Sequence, residues 1–121
     1  MFSKEVLDYF QNPRNAGELK EPTAVVDLSN PVCGDILQVA VRVENGRISE
    51  ARFLCRGCTT SIACASRLTE LLIGLQIGKL PEITAELLAI TFGELPPETI
   101  HGAYLAADAA QALAAKLATT R

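Results

Sequence analysis

Residues 36–54 read ILQVAVRVENGRISEARFL, and this stretch decides the fold. Apolar and polar residues alternate through Ile36–Glu44, which predicts a strand with one buried face. The Asn45-Gly46 pair that follows is a strong hairpin signal, because both central residues of a type I′ turn need a positive φ. A second strand, Arg47–Leu54, is therefore predicted to pair antiparallel with the first.

The register of this hairpin predicts one irregularity. A two-residue turn sets Val43 opposite Ile48. Strict pairing from that point would direct Ala51 and Phe53 away from the core, although both are apolar. A one-residue bulge near Ser49-Glu50 returns them to the buried face. We therefore expect a bulged hairpin.

Helical periodicity, capping residues and turn signals predict the remaining elements. These are a strand at Ala24–Leu28 and helices at Ser3–Phe10, Thr60–Leu72, Glu82–Ile90 and from Pro96-Pro97 through Leu117. The predicted fold class is α+β, a three-stranded antiparallel β-meander with helices packed mainly on one face.

Composition limits the classes of protein that remain. A chain of 121 residues and 12.9 kDa predicts a single domain over residues 1–121. The formal net charge of −3 argues against nucleic acid as a partner, since phosphate binding favours a basic surface. No charge-free apolar run is long enough to span a membrane. No signal-peptide pattern opens the sequence, which predicts a cytoplasmic protein.

Three residues that bind metals are predicted to meet at one edge of the sheet. Cys33 and Asp35 precede the second strand, and Cys58 follows the third. Antiparallel pairing brings those two strand ends together. His101, the single histidine, lies near the start of the last helix. Two thiols, a carboxylate and an imidazole are suitable ligands for zinc or for an iron-sulfur cluster.

Two further cysteines leave alternatives open. Cys55 and Cys58 have the C-x-x-C spacing that suits zinc or a redox dithiol, while Cys55 also continues the buried face of its strand. A thiol oxidoreductase is therefore one alternative, although the βαβ pattern of thioredoxin-like proteins is absent. Cys64 lies six residues beyond Cys58, on a different face of the helix. It is interpreted as a small buried core residue.

The sequence resembles the IscU/NifU N-terminal family of iron-sulfur cluster assembly scaffolds. The resemblance spans nearly the whole chain, and separate motifs in the same order carry it. They are Asn12-Pro13-Arg14-Asn15, Pro31-Val32-Cys33-Gly34-Asp35, Ala51-Arg52-Phe53, Gly57-Cys58-Thr59-Thr60-Ser61-Ile62-Ala63, and Leu95-Pro96-Pro97 with Ile100-His101.

The resemblance implies a scaffold or carrier and not a turnover enzyme. In that family a cysteine desulfurase delivers sulfur, and a [2Fe-2S] cluster forms on three cysteines with an Asp or His nearby. The cluster then passes to acceptor proteins. The resemblance assigns Cys33 and Cys58 to the first two cluster cysteines, Asp35 to the residue that keeps the cluster labile, and His101 to the site histidine.

Two departures from the family pattern affect these expectations. The family's third cysteine directly follows the histidine, and Gly102 occupies that position here. Leu95–Thr99 lacks the Lys of the chaperone-binding motif, which argues against handling by a dedicated Hsp70-type chaperone. A zinc-binding sulfur acceptor, or a regulatory relative that binds the desulfurase without building a cluster, is thus the alternative function.

The glycine also generates an expectation about substitution. Cysteine is a better helix residue than glycine, so the sequence predicts that Gly102→Cys is tolerated. The added thiol would then supply the missing third thiolate.

Overall fold

A computed structural model describes residues 3–31, 34–93 and 100–118. Its elements are α1 (Lys4–Gln11), β1 (Ala24–Asn30), β2 (Asp35–Glu44), β3 (Arg47–Arg56), α2 (Thr59–Leu72), a 3₁₀ helix (Ile77–Glu82), α3 (Ala85–Ile90) and α4 (His101–Ala118). The strands form one antiparallel sheet in the order β1-β2-β3. This confirms the predicted α+β meander. Within the described ranges no helix combines the length and apolar character of a membrane span.

The β2–β3 hairpin has the predicted turn and bulge. Asn45 and Gly46 have φ values of 54° and 76°, as a type I′ turn requires. The pairing shifts by one residue after the turn, so that Ser49 is the extra residue of β3. The shift restores Ala51 and Phe53 to the core, where they are 0% and 3% exposed. The bulge therefore decides which face of β3 is buried.

Two helices cover one face of the sheet. Helix α2 packs against β3, α4 packs against β1, and the two helices contact each other. Their shared core includes fully buried apolar side chains from the sheet and both helices: Leu37, Val39, Val41, Ile48, Leu68, Leu72 and Leu113. Helix α4 contributes mainly alanines to this core, and small side chains let helix backbones approach closely. This packing brings the starts of α2 and α4 together.

The predicted helix at Glu82–Ile90 is wrong in its first half. The chain forms the 3₁₀ helix up to Glu82, and α3 begins only at Ala85. The side chain of Thr84 accepts the Leu87 N–H and caps α3, an alternative to continued helix that the apolar pattern does not show. The predicted start of the last helix at Pro96-Pro97 lies outside the described residues.

Helix α1 is attached to α2 through the Glu70 carboxylate. The Tyr9 hydroxyl donates a hydrogen bond to Glu70, and Arg67 donates another at 2.9 Å. The Arg14 guanidinium lies 3.9 Å above the centre of the Tyr9 ring, in a cation–π contact. Burial raises the pKa of Glu70, but the hydrogen bonds from Tyr9 and Arg67 outweigh it, and the pKa ends below its ordinary value.

Glu70→Gln should therefore reduce the free energy of unfolding by about 1–2 kcal/mol near pH 7, because the hydrogen bonds lose their charged acceptor. A lowered pKa contributes stability above the ordinary value, which is lost as the pH falls through the folded-state pKa. The variant should thus lose less stability than the wild type between about pH 5 and pH 3. Urea unfolding of the two proteins at about pH 5 and about pH 3 measures this loss of stability. Glu18→Gln, at an exposed position, is the control, and equal acid sensitivity of wild type and Glu70→Gln would contradict the prediction.

Candidate metal centre

Asp35 lies at the start of β2, directly against the chain that leads from β3 into α2. A Cβ atom at Gly57 would lie 2.8 Å from the Asp35 Cγ and 2.9 Å from its Oδ1. Cβ atoms in proteins essentially never lie that close to a non-bonded atom, so a side chain at this position would displace the carboxyl group. Gly57 therefore leaves the space that the Asp35 carboxyl group occupies.

The Asp35 carboxyl group is buried and hydrogen-bonded. The residue is only 5% exposed, and a buried carboxylate is costly unless donors face it. The Ser61 hydroxyl donates to its Oδ2. The His101 Nε2 lies 3.2 Å from the same oxygen. Asp35 is thus fixed by one residue from α2 and one from α4.

Cys58 is the N-cap residue of α2. Its Sγ accepts the Ser61 N–H at 3.4 Å and lies 3.3 Å from the Ser61 Oγ. The free amides of a first helical turn favour an anionic group at this position. The His101 Nε2 is 3.6 Å from the same sulfur. The imidazole therefore faces the thiol and the carboxyl group together.

Two of the three distances between the donor atoms are close to those between ligands of one metal ion. One ligand atom each from Asp35, Cys58 and His101 lies within 4.8 Å of the other two. Around a tetrahedral ion with bonds of about 2.0–2.3 Å, neighbouring ligand atoms are about 3.3–3.8 Å apart. The sulfur–nitrogen distance of 3.6 Å and the nitrogen–oxygen distance of 3.2 Å are close to those values. The arrangement can hold a metal ion with three side chains and leave a further ligand position.

The structure thus brings together three of the four residues predicted from the sequence. Asp35, Cys58 and His101 converge, whereas Cys33 lies outside the described residues. Their role as ligands stays a prediction. Ser61 and Gly57 were not predicted to matter, although both belong to the motif around Cys58. A Ser three residues after an N-cap was the available signal, since such a residue faces the cap.

Cys55 and Cys64 do not join the donor group. Cys55 is half-buried and packs against the core, and Cys64 is 0% exposed. Burial, with a smaller effect of Asp35, raises the pKa of Cys55 to about 12. Burial, with a smaller effect of Cys58, raises the pKa of Cys64 to about 12. Both thiols are therefore placed as core side chains.

The chain is similar to known proteins over nearly its whole length. The family model described as "NifU-like N terminal domain" matches residues 1–120. "Iron-sulfur cluster assembly scaffold protein IscU 1" of Archaeoglobus fulgidus is 39% identical over 109 residues, which are 90% of this chain and 71% of that protein. The protein named IscU from Haemophilus influenzae is 36% identical over 115 residues, covering 92% and 90% of the two chains.

The fold has a counterpart among solved structures. The N-terminal part of a NifU-like protein from Brucella abortus superimposes with a TM-score of 0.64 at 19% identity. The match covers 96% of this chain and 82% of that one.

The burial of Cys55 and Cys64 predicts selective alkylation of the native protein. At about pH 8 a thiol with a pKa of about 12 is ionised in roughly one molecule in ten thousand. Iodoacetamide should therefore modify Cys58 well before either buried thiol, as measured by peptide mass spectrometry over time. The denatured protein, in which all thiols react, is the control. Reaction of Cys55 as fast as Cys58 would instead favour the redox dithiol hypothesis.

Proposed function

The chain belongs to the family of the NifU-like N terminal domain, and from this premise we propose that the protein is an iron-sulfur cluster assembly scaffold. Relatives of 36–39% identity carry that name. The observation that carries the proposal is the convergence of Asp35, Cys58 and His101 on one point at the sheet edge. The cluster, or its iron and sulfur, is the cargo of such a protein.

The donor set suits cargo that has to leave again. A [2Fe-2S] cluster takes four protein ligands, and Cys33, Asp35, Cys58 and His101 supply that number. The thiolate is a soft ligand that iron-sulfur clusters prefer, whereas the carboxylate oxygen is a hard ligand better suited to other ions. A cluster on this mixed set should therefore be labile. Sulfur would come from a cysteine desulfurase, and acceptor proteins would receive the product.

A second candidate function follows from the distances between the donors. Three donors within 4.8 Å of one another, two of whose distances match a tetrahedral shell, suit one zinc ion. Each iron of a [2Fe-2S] cluster has room for only two of them, because sulfides fill its other positions. The alternative is thus a zinc-binding relative that accepts sulfur from, or regulates, a cysteine desulfurase without building a cluster.

Anaerobic reconstitution distinguishes the two functions. With ferrous iron and sulfide, the scaffold should develop visible charge-transfer absorption and pass the cluster to an apo-ferredoxin. Cys58→Ser should lose the absorption, because a central thiolate is gone. Cys55→Ser is the matched control and should retain it. Absence of absorption in the wild type, together with one tightly bound zinc ion in metal analysis, would favour the zinc function.

Asp35→Ala should lengthen the lifetime of the cluster. The substitution removes the residue to which the family resemblance assigns the lability of the cluster, a hard oxygen donor or competing charge beside the softer ligands. Loss of absorption after addition of a chelator measures the lifetime. Asp27→Ala, which changes an exposed carboxylate on β1, is the control. Equal or faster loss in Asp35→Ala would show that the carboxylate does not limit the lifetime.

A further inference from the structure

Gly102 lies where the first turn of α4 touches the first turn of α2. A Cβ atom at this position would lie 2.9 Å from both the N and the Cα of Ser61, and 3.1 Å from the carbonyl carbon of Thr60. All three neighbours are backbone atoms of a helix, which cannot rotate out of the way as a side chain can. The two helices therefore meet at a distance that only glycine permits.

This glycine is required by space and not by backbone conformation. Gly102 is helical and buried, and its φ is not positive. Gly78, also without a positive φ, has no atom within 4 Å of a Cβ added there. Glycine is a poor helix residue compared with alanine, and at Gly102 the close contact with α2 gives a physical reason for its presence.

The close contact involves the residues that hold the metal donors. His101 directly precedes Gly102, and its Nε2 reaches both Cys58 and Asp35. The backbone against which Gly102 packs belongs to Ser61, whose N–H faces the Cys58 sulfur and whose hydroxyl holds Asp35. The approach of α4 to Ser61 therefore sets the position of the imidazole relative to both other donors.

We propose that Gly102 is a positioning residue of this metal site, because its missing side chain lets α4 bring His101 within reach of Cys58 and Asp35. The proposal rests on the metal-holding role in the proposed function. It also opposes the expectation from sequence that Gly102→Cys is tolerated and adds a third thiolate. A cysteine carries the same Cβ as an alanine, and that atom meets the backbone of α2.

Two substitutions distinguish this proposal from the hypothesis that the site merely lacks its third thiolate. If position 102 only lacks the third thiolate and has no other role, Gly102→Ala would leave metal binding unchanged and Gly102→Cys would strengthen it. If Gly102 positions His101, both variants should bind more weakly. We expect a loss of roughly tenfold or more, the range typical of residues that orient metal ligands.

Anaerobic titration with Co²⁺ alone measures the effect. Visible d–d bands report the coordination of the ion, and the thiolate charge-transfer band reports Cys58. Both Gly102 variants should keep the thiolate band at saturation and change the d–d bands, and His101→Ala should change them in the same way. Adding Gly102→Ala to His101→Ala should cause little further loss, because both changes remove the same ligand. Gly78→Ala is the matched control and should bind as the wild type does.

Stability is separated from positioning by a second control. Leu117→Ala truncates a buried side chain at the far end of α4 and should lower the melting temperature while preserving the Co²⁺ spectrum. If circular dichroism shows that a Gly102 variant is unfolded, it is titrated in trimethylamine N-oxide, which favours the folded state.

Wild-type affinity and d–d bands in Gly102→Ala, or a gain of Co²⁺ affinity in Gly102→Cys, would overturn the proposal. Failure of the wild type to bind Co²⁺ would instead contradict the proposed metal-holding function.

Discussion

The candidate site depends on one buried carboxyl group that must be both accommodated and hydrogen-bonded. Asp35 is almost fully enclosed, and an unpaired carboxylate in such surroundings would cost several kcal/mol. Gly57 leaves the space, and Ser61 supplies the hydrogen bond. Because Ser61 lies in the first turn of α2, satisfying Asp35 fixes where that helix begins relative to the sheet. Cys58, the residue that caps the helix, is positioned by the same constraint.

The Ser61 hydrogen bond also affects how Asp35 can act as a ligand. The hydroxyl donates to Oδ2, the oxygen that faces His101. A metal ion that used this oxygen would share its lone pairs with the hydroxyl, which weakens the electron donation to the metal. The Ser61 N–H makes a similar contact with the Cys58 sulfur. Ser61 therefore fixes both proposed ligands and would weaken each as a donor to a bound metal, an arrangement suited to the release of cargo under the proposed function.

Much of the fold follows from local sequence signals, because those signals and the tertiary structure agree. The Asn45-Gly46 turn and the alternation on either side determine the hairpin, and the conflict in register predicts the bulge at Ser49. The convergence of Asp35 and Cys58 then follows from antiparallel pairing alone. The break at residues 83–84 was missed, because the Thr84 cap competes with an apolar pattern that favours continued helix.

The distances between elements could not be predicted in the same way. Helical periodicity shows which face of α4 is buried, but it does not show how closely the helix approaches its neighbour. For that reason the sequence presented Gly102 as a position that had lost a thiol. A glycine inside a buried helical face has two explanations, a lost function or a close contact, and only the position of the facing backbone separates them.

The close contact also changes how the departure from the family pattern is understood. With a cysteine at position 102, α2 and α4 could not lie as close together as they do here, because its Cβ would meet the backbone of α2. In this chain they meet at the backbone of Ser61, which is the residue that holds Asp35 and faces Cys58. On the proposed positioning role, the absence of a thiol at position 102 and the approach of His101 to Cys58 and Asp35 have a single cause. If Gly102 positions His101 as proposed, a thiolate at position 102 and the present position of His101 exclude one another, and the site is a distinct arrangement of donors.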